Sequence, residues 1–249
     1  MKALSFVVLV TLTYTAAASA QTGPGSASPS DIFEIGSRLV RIPPPADFTK
    51  IGRQHGRILS VQEASEPAKN EIIAVHLPTD QLSRSKRDSD WQPDFFTKVS
   101  VSRVGRDEDI TPESFLAVGS YIEKEFAKMT DPRGRSVLAE QHYASKNLSE
   151  LLDRTTKLQR DQPVSLGVFD KSDQVHSTLA LISLSANNRS YKFLGTVSFV
   201  YVNMRLIYVY VYKSDPVEED IEMIREFTRN WTASIVAANQ ELTAKSSVK

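Results

Sequence analysis

One stretch near the C-terminus, residues 194–239, constrains the fold more than any other part of the chain. It contains two runs rich in Val, Ile, Phe and Tyr, residues 196–201 and 206–212, with the turn 202–205 between them. Such residues favour the pleated surface of a sheet, so the two runs predict a β-hairpin. Since neither alternating face of the second run is polar, we expect the hairpin to lie centrally in a sheet that is covered on both sides.

The second strand of this hairpin has two distinct faces, because side chains alternate across a strand. One face carries Leu206, Tyr208, Tyr210 and Tyr212, and the other carries Ile207, Val209 and Val211. We expect the tyrosine face to be the wetter of the two, because a tyrosine packs its ring while its hydroxyl reaches water at the rim.

A long amphipathic helix follows the hairpin. Asp215 is a suitable N-cap and Pro216 suits the first helical position, so the sequence predicts that the helix begins there. Its apolar residues recur every three or four positions and form one stripe, Val217, Ile221, Ile224, Phe227, Trp231 and Ile235. Its first turns carry the acids Glu218, Glu219, Asp220 and Glu222. These acids form either a site for a basic partner or a solvated face matched to the helix dipole, and the second interpretation is favoured.

Residues 1–20 have the pattern of a secretory signal peptide. Lys2 supplies the positive start, residues 4–12 are almost continuously apolar, and Ala18-Ser19-Ala20 is a small-residue cleavage site. We therefore expect cleavage after Ala20. The apolar run is too short to span a membrane comfortably, and no later segment approaches the length required. The sequence predicts an exported protein, periplasmic or secreted, with no membrane span.

The composition limits the classes of site and of partner that the protein can have. The chain has no cysteine, which excludes disulfides, thiol catalysis and lipid anchoring through a cysteine, so the hydrophobic core must hold the fold together. Its 30 basic and 30 acidic residues balance. Balanced charge gives no argument for nucleic acid or an anionic membrane as a partner. The partner we expect is another periplasmic or envelope protein, whose identity the sequence does not indicate.

The rest of the chain predicts strands, then two helices, then an antiparallel meander that leads into the hairpin. The predicted strands are 32–42 (broken at Gly36), 71–77, 95–104, 164–169 and 175–184, the predicted helices begin at Pro112 and near Ser136, and the predicted loops include 52–56 and 81–94. This order indicates an α+β fold with a mostly antiparallel sheet and helices on both faces.

The chain divides into four predicted segments. The signal peptide is followed by a flexible linker, residues 21–31, which is rich in Gly, Pro, Ser and Thr. A single domain follows at residues 32–239, and a short polar tail that we expect to be disordered follows at residues 240–249.

Motifs that carry chemistry are missing from the sequence. No nucleophile elbow, phosphate-binding loop, zinc-protease signature or dinucleotide fingerprint occurs. The four histidines, His55, His76, His142 and His176, are far apart and have no ligand spacing. The sequence therefore predicts no metal ligand, cofactor or catalytic residue.

Basic residues gather in three loops or loop edges. They are Arg53, His55 and Arg57 in the first, Arg84, Lys86 and Arg87 in the second, and Arg103 and Arg106 in the third. If these loops meet at one end of the sheet they form an anion-binding rim, with Arg53, His55, Arg57 and Arg103 as its candidate ligand-binding residues. The alternative is that they are solvated surface charges balanced by nearby acids.

The element order also carries a resemblance. The predicted domain begins with an early strand that runs into Ile42-Pro43-Pro44-Pro45-Ala46-Asp47-Phe48, and a central helix, an antiparallel meander and a closing amphipathic helix follow. This order of elements resembles the PsbP-like fold. The segment 208–239 resembles the C-terminus of uncharacterised exported proteobacterial proteins. The PsbP-like fold is a three-layer α/β/α sandwich, found in a photosystem II extrinsic protein, a Ran-binding nuclear import factor and bacterial periplasmic proteins. The resemblance implies an accessory or binding protein without a catalytic centre, and it transfers no site residue.

Two functions remain open from the sequence. The first is an exported non-enzymatic accessory or binding module of unspecified ligand, which agrees with the missing catalytic motifs. The second is a small periplasmic hydrolase whose site is assembled from residues distant in sequence, with His55 or His76 as its base. A deep pocket that holds a histidine beside a carboxylate would favour the hydrolase, and a shallow surface with an exposed apolar patch would favour the binding module.

Overall fold

The predicted hairpin forms the centre of an eight-stranded antiparallel sheet in the computed structural model of the protein. The structure describes residues 31–87, 93–128, 135–152, 158–160, 163–186 and 189–246. Within these residues the fold is α+β, and helices pack on both faces of the sheet, as predicted.

The described elements follow one another in the order strands, helices, meander and closing helix. The strands are β1 (Ile32–Ile35), β2 (Arg38–Arg41), β3 (Phe48–Lys50), β4 (Asn70–Pro78), β5 (Phe95–Ser102), β6 (Leu158–Arg160), β7 (Val164–Lys171), β8 (Val175–Ala186), β9 (Arg189–Val202) and β10 (Arg205–Ser214). The α-helices are α1 (Gly56–Ser65), α2 (Leu82–Arg87), α3 (Pro112–Lys128), α4 (Arg135–Leu152) and α5 (Asp220–Ser246).

The large sheet has the order β3-β4-β5-β10-β9-β8-β6, and β7 also pairs with β8. The strands β1 and β2 form a separate hairpin, so the predicted break at Gly36 is a complete reversal of the chain. Gly36 has a φ of +57°, and a Cβ there would lie 2.8 Å from the carbonyl oxygen of Arg106. Both the backbone conformation and the close approach require glycine at this turn.

A two-residue turn, Asn203 and Met204, joins the central strands β9 and β10. Both residues have positive φ, 48° and 62°, as the tight turns between twisted strands require. Arg205, the first residue of β10, is only 1% exposed and donates hydrogen bonds to the carbonyl oxygens of Ile35 and Glu108, each at 2.9 Å. These hydrogen bonds of Arg205 connect the β1–β2 hairpin to the turn between β9 and β10.

The helix α5 covers the aliphatic face of β10. Ile207, Val209 and Val211 are fully buried beneath it. Trp231 on α5 is 2% exposed, and its Nε1–H donates to the carbonyl oxygen of Pro43 at 2.9 Å. The predicted stripe is thereby confirmed as core from Ile221 onward.

The predicted start of this helix is wrong. Asp215 has a φ of +47° and donates its N–H to the carbonyl oxygen of Lys192, so it extends the strand pairing and does not cap the helix. The helix begins at Asp220, whose carboxylate accepts the N–H of Val217 at 2.9 Å and so satisfies a backbone donor just ahead of the helix. Val217 is exposed and lies outside the stripe. The helix continues to Ser246, beyond the predicted start of a disordered tail at Gln240.

The helices α1, α3 and α4 lie on the tyrosine face. Ile58 and Leu59 of α1 pack on a cluster in β4 and β5, and Phe115 of α3 stacks on Tyr201 with ring centroids 5.7 Å apart. Tyr208, Tyr210 and Tyr212 are half-buried, whereas the aliphatic face is fully buried. The sheet is covered on both sides, and the tyrosine face is the wetter one, as predicted.

Several described elements, α1 among them, were not predicted from the sequence. The predicted loop 52–56 contains the short 3-10 helix Arg53–His55, which leads directly into α1. The predicted loop 81–94 contains α2, and β6 was not predicted. The helix α1 has no fully buried residue and no acid in its first turn, so the periodicity and the N-terminal signal that identify helices are both weak there.

Some predictions lie outside the described residues. They include the signal peptide, the linker as far as residue 30, and part of the predicted loop at 88–92. Within the described ranges, no helix combines the length and apolar character needed to cross a membrane.

Candidate functional site

The four predicted rim residues lie in two places. Arg53 and His55 belong to the short 3-10 helix, and Arg57 lies in the first turn of α1. His55 is buried, at 5% exposure. Arg103 directly follows β5 and is exposed. The first three residues therefore flank the N-terminal end of α1, and Arg103 belongs to a different edge.

The strand β4 separates these two places. Ile51, just before the first group, donates its N–H to the carbonyl oxygen of Val75, whereas Arg103 donates to that of Lys69. Lys69 and Val75 are separated by roughly 20 Å of extended chain. The structure does not bring Arg103 together with Arg53, His55 and Arg57, and anion binding at either place stays a prediction.

Arg103 instead borders a polar cavity of about 210 Å³ between the C-terminal end of α1, the start of β4 and α4. Its described lining includes Glu63, Glu66, Ala68, Asn70, Arg103 and Tyr143. No histidine is among the described residues that line it. We refer to it as the Glu66 cavity.

A proline shapes the wall of the Glu66 cavity. The residue before a proline is disfavoured in the helical region, and Glu66, which precedes Pro67, is extended with a ψ of 137°. The helix α1 therefore ends at Ser65, and Glu66 leaves the helical path. The N–H of Asn70 donates to the carbonyl oxygen of Pro67 at 2.8 Å, which turns the chain into β4.

Glu66 and Lys98 form a buried ion pair beside the cavity. Their side chains are 5% and 8% exposed, and the Lys98 ammonium donates to Glu66 Oε2. The same ammonium lies 4.8 Å from the ring centroid of Tyr210 and 6.0 Å from that of Tyr212. Aromatic faces attract ammonium groups, so one carboxylate oxygen and the tyrosine face together hold Lys98.

The second oxygen of this carboxylate, Glu66 Oε1, is buried and has no hydrogen-bond partner in the part of the chain that the structure describes. Ser100 Oγ is likewise buried and without a hydrogen-bond partner among the described residues. Ser100 pairs in the sheet with Ile72, which lines the cavity. A buried carboxylate oxygen without a donor is costly. Since Glu66 lines the cavity, its carboxylate is suited to a group that donates hydrogen bonds.

The sequence contains a signal for this site that was overlooked. Lys98 stands in the middle of β5, a strand otherwise rich in Phe, Val, Thr and Ser. A lysine within a central strand needs a carboxylate partner, because lysine is almost never fully buried unless it is paired. The partner Glu66 is 32 residues away in sequence, so no local pattern joins the two.

The histidine that the hydrolase hypothesis named on a strand, His76, belongs to the core under α5. Its ring lies edge-on to Trp231 with centroids 5.6 Å apart, and its Nδ1 is 3.1 Å from Thr97 Oγ1. Burial lowers the pKa of His76 to about 3, and the charge of Lys50 adds to this shift. His76 is therefore a neutral core residue at physiological pH.

His176 lies beside a carboxylate under α3. Its Nε2 is 3.9 Å from Glu123 Oε1, and it is 2% exposed. Burial lowers the pKa of His176, although Glu123 opposes that shift. Among the residues that the structure describes, no group of three or more potential ligand side chains is placed to hold a metal ion.

Comparisons with known proteins assign no family to the chain. Neither the protein-family models nor the curated protein sequences include a match to it.

Proposed function

We propose that the chain is an exported, non-enzymatic accessory or binding module that holds a small polar ligand in the Glu66 cavity. The observation that carries this proposal is the buried Glu66 Oε1, which has no hydrogen-bond partner among the described residues and belongs to a side chain in the cavity wall. Buried polar groups are normally paired, and exceptions require an explanation. A ligand that donates a hydrogen bond to Glu66 Oε1 would explain this exception.

The size and lining of the cavity support a small ligand. Its volume of about 210 Å³ corresponds to about seven water molecules at liquid density. Charged and polar side chains on its wall, Glu63, Asn70 and Arg103, suit recognition by a few directed contacts. The signal-peptide pattern of residues 1–20 supports export, and the PsbP-like resemblance agrees with a binding role.

A small hydrolase is the second candidate, and one observation favours it. His176 Nε2 lies 3.9 Å from Glu123 Oε1, which is the histidine–carboxylate pairing that general-base catalysis uses. Ester hydrolysis by the protein that disappears in the variant His176→Gln would support this candidate over the binding module.

The binding module is tested by filling the cavity. Ala68 is exposed and lines the cavity, so Ala68→Trp reduces its volume without altering the core. Ala117, exposed on α3, provides the matched control Ala117→Trp. The protein is mixed with the low-molecular-mass fraction of a periplasmic extract, and mass spectrometry identifies the molecules that remain bound.

We expect the parent and Ala117→Trp to retain the same small molecule and Ala68→Trp to lose it. Retention by neither the parent nor the control, or equal retention by all three proteins, would contradict the proposal.

A further inference from the structure

Charges of both signs line the Glu66 cavity on different elements. Glu63 lies in the last turn of α1, Glu66 directly follows that helix, and Arg103 follows β5. On the basis of the proposed binding function, we propose that the ligand is a small zwitterion with an ammonium group and a carboxylate, of the α-amino acid class. Its ammonium group binds on the side of Glu63 and Glu66, and its carboxylate binds Arg103.

The side of the cavity formed by Glu63 and Glu66 requires a hydrogen-bond donor from the ligand. Lys98 donates to Glu66 Oε2 and leaves Oε1 without a hydrogen-bond partner among the described residues. An acceptor of this kind pairs only with an N–H or O–H group. An ammonium group has three donors and the charge that strengthens each bond to a carboxylate. Glu63, which is exposed at the same cavity, adds a second carboxylate for the same group.

The basic side offers an arginine that is weakly engaged within the protein. The Arg103 side chain is 58% exposed, and its Nη1 lies 4.0 Å from Glu71 Oε2, the limit of an ion pair. That oxygen already accepts a hydrogen bond from Arg106 Nη1 at 2.5 Å. The Arg103 guanidinium can therefore donate to a carboxylate of the ligand, which it would bind through two parallel hydrogen bonds.

The balance of charge distinguishes a zwitterion from a simple ion. Lys98 is paired with Glu66, so one further acid, Glu63, and one base, Arg103, remain at the cavity for charges of the ligand. A ligand with only a carboxylate satisfies Arg103 but faces Glu63 and leaves Glu66 Oε1 without a donor. A ligand with only an ammonium group satisfies Glu66 but leaves Arg103 without its partner. Both incomplete ligands should bind less tightly than the zwitterion.

Isothermal titration calorimetry with three related probes tests the proposal. Alanine carries both charged groups, ethylamine lacks the carboxylate, and propionate lacks the ammonium group. We expect alanine to bind about tenfold more tightly than either ethylamine or propionate, because each lacks one charge-assisted contact. Propionate or ethylamine binding as tightly as alanine would overturn the proposal.

Two exposed substitutions locate the contacts without disturbing the buried ion pair. Arg103→Gln should weaken alanine binding about tenfold and leave ethylamine binding unchanged, and Glu63→Gln should weaken alanine and ethylamine but not propionate. The matched controls Arg84→Gln and Glu219→Gln alter exposed charges elsewhere and should change none of these affinities. Equal affinity of alanine for the parent, Arg103→Gln and Glu63→Gln would overturn the proposal.

The failure of this inference can be told apart from the failure of the proposed function. If the protein retains a small molecule from the extract and Ala68→Trp abolishes that retention, but alanine does not bind, then the binding function holds and the zwitterion class is wrong. If neither the extract nor the three probes yield a ligand that Ala68→Trp excludes, then both proposals are wrong.

Discussion

Acid should destabilise the protein through His76. Its pKa lies near 3 in the folded protein because burial penalises the charged ring, whereas the pKa in the unfolded chain is about 6.5. Above pH 6.5 the histidine is neutral in both states. Below that value the unfolded state binds a proton that the folded state does not, so the free energy of unfolding falls as the pH falls.

The size of this effect follows from the pKa difference. Each pH unit below the unfolded pKa costs about 1.4 kcal/mol while the folded histidine remains neutral. At pH 4.5 the loss attributable to His76 is therefore about 3 kcal/mol. That is a large fraction of the 5–15 kcal/mol, roughly, that stabilises an ordinary domain.

Urea unfolding of the parent and of His76→Gln at pH 7.5 and pH 4.5 measures this loss. The glutamine does not titrate, so the variant should lose about 3 kcal/mol less than the parent between the two pH values, whatever its stability at pH 7.5. His176→Gln, whose parent side chain also has a lowered pKa, should change the loss in the same direction. Equal losses in the parent and in His76→Gln would refute the assigned burial and ionisation of His76.

Three further predictions concern the core and the leader. Trp231→Ala should cost about 3–5 kcal/mol in urea unfolding, because it removes a buried indole and its hydrogen bond; an unchanged midpoint would mean that α5 does not dock as described. Val209→Asp should destabilise the protein by several kcal/mol and Tyr208→Asp by less, since only the first position is fully buried; an unfolding midpoint of Tyr208→Asp equal to that of the parent would contradict a sheet covered on both sides. Mass spectrometry of the exported protein should find Gln21 as its first residue, and an intact leader would contradict export by cleavage.

The elements with strong local periodicity could be predicted from the sequence. The alternation in 206–212 identified both faces of β10, and the spacing of Ile224, Trp231 and Ile235 identified the buried side of α5. The start of α5 was mispredicted because Asp215 and Pro216 form a good local N-terminal signal. In the structure the backbone of Asp215 is engaged with Lys192 of β9 instead.

The candidate site depends on contacts that local sequence patterns do not specify. The rim prediction grouped basic residues by composition, and β4 places Arg103 apart from Arg53, His55 and Arg57. The pair Glu66–Lys98 forms because α1 ends at Ser65 ahead of Pro67, and the extended Glu66 then reaches Lys98 of β5. Lys98 alone was recognisable in advance, as a charged residue in a central strand, but its partner required the tertiary fold.

A crystal structure of the protein soaked with alanine tests the central claim most directly. We expect alanine in the Glu66 cavity, with its ammonium nitrogen within about 2.7–3.2 Å of Glu66 Oε1 and its carboxylate paired with the Arg103 guanidinium. A cavity that contains only water at saturating alanine, or alanine bound with its carboxylate facing Glu66, would contradict it.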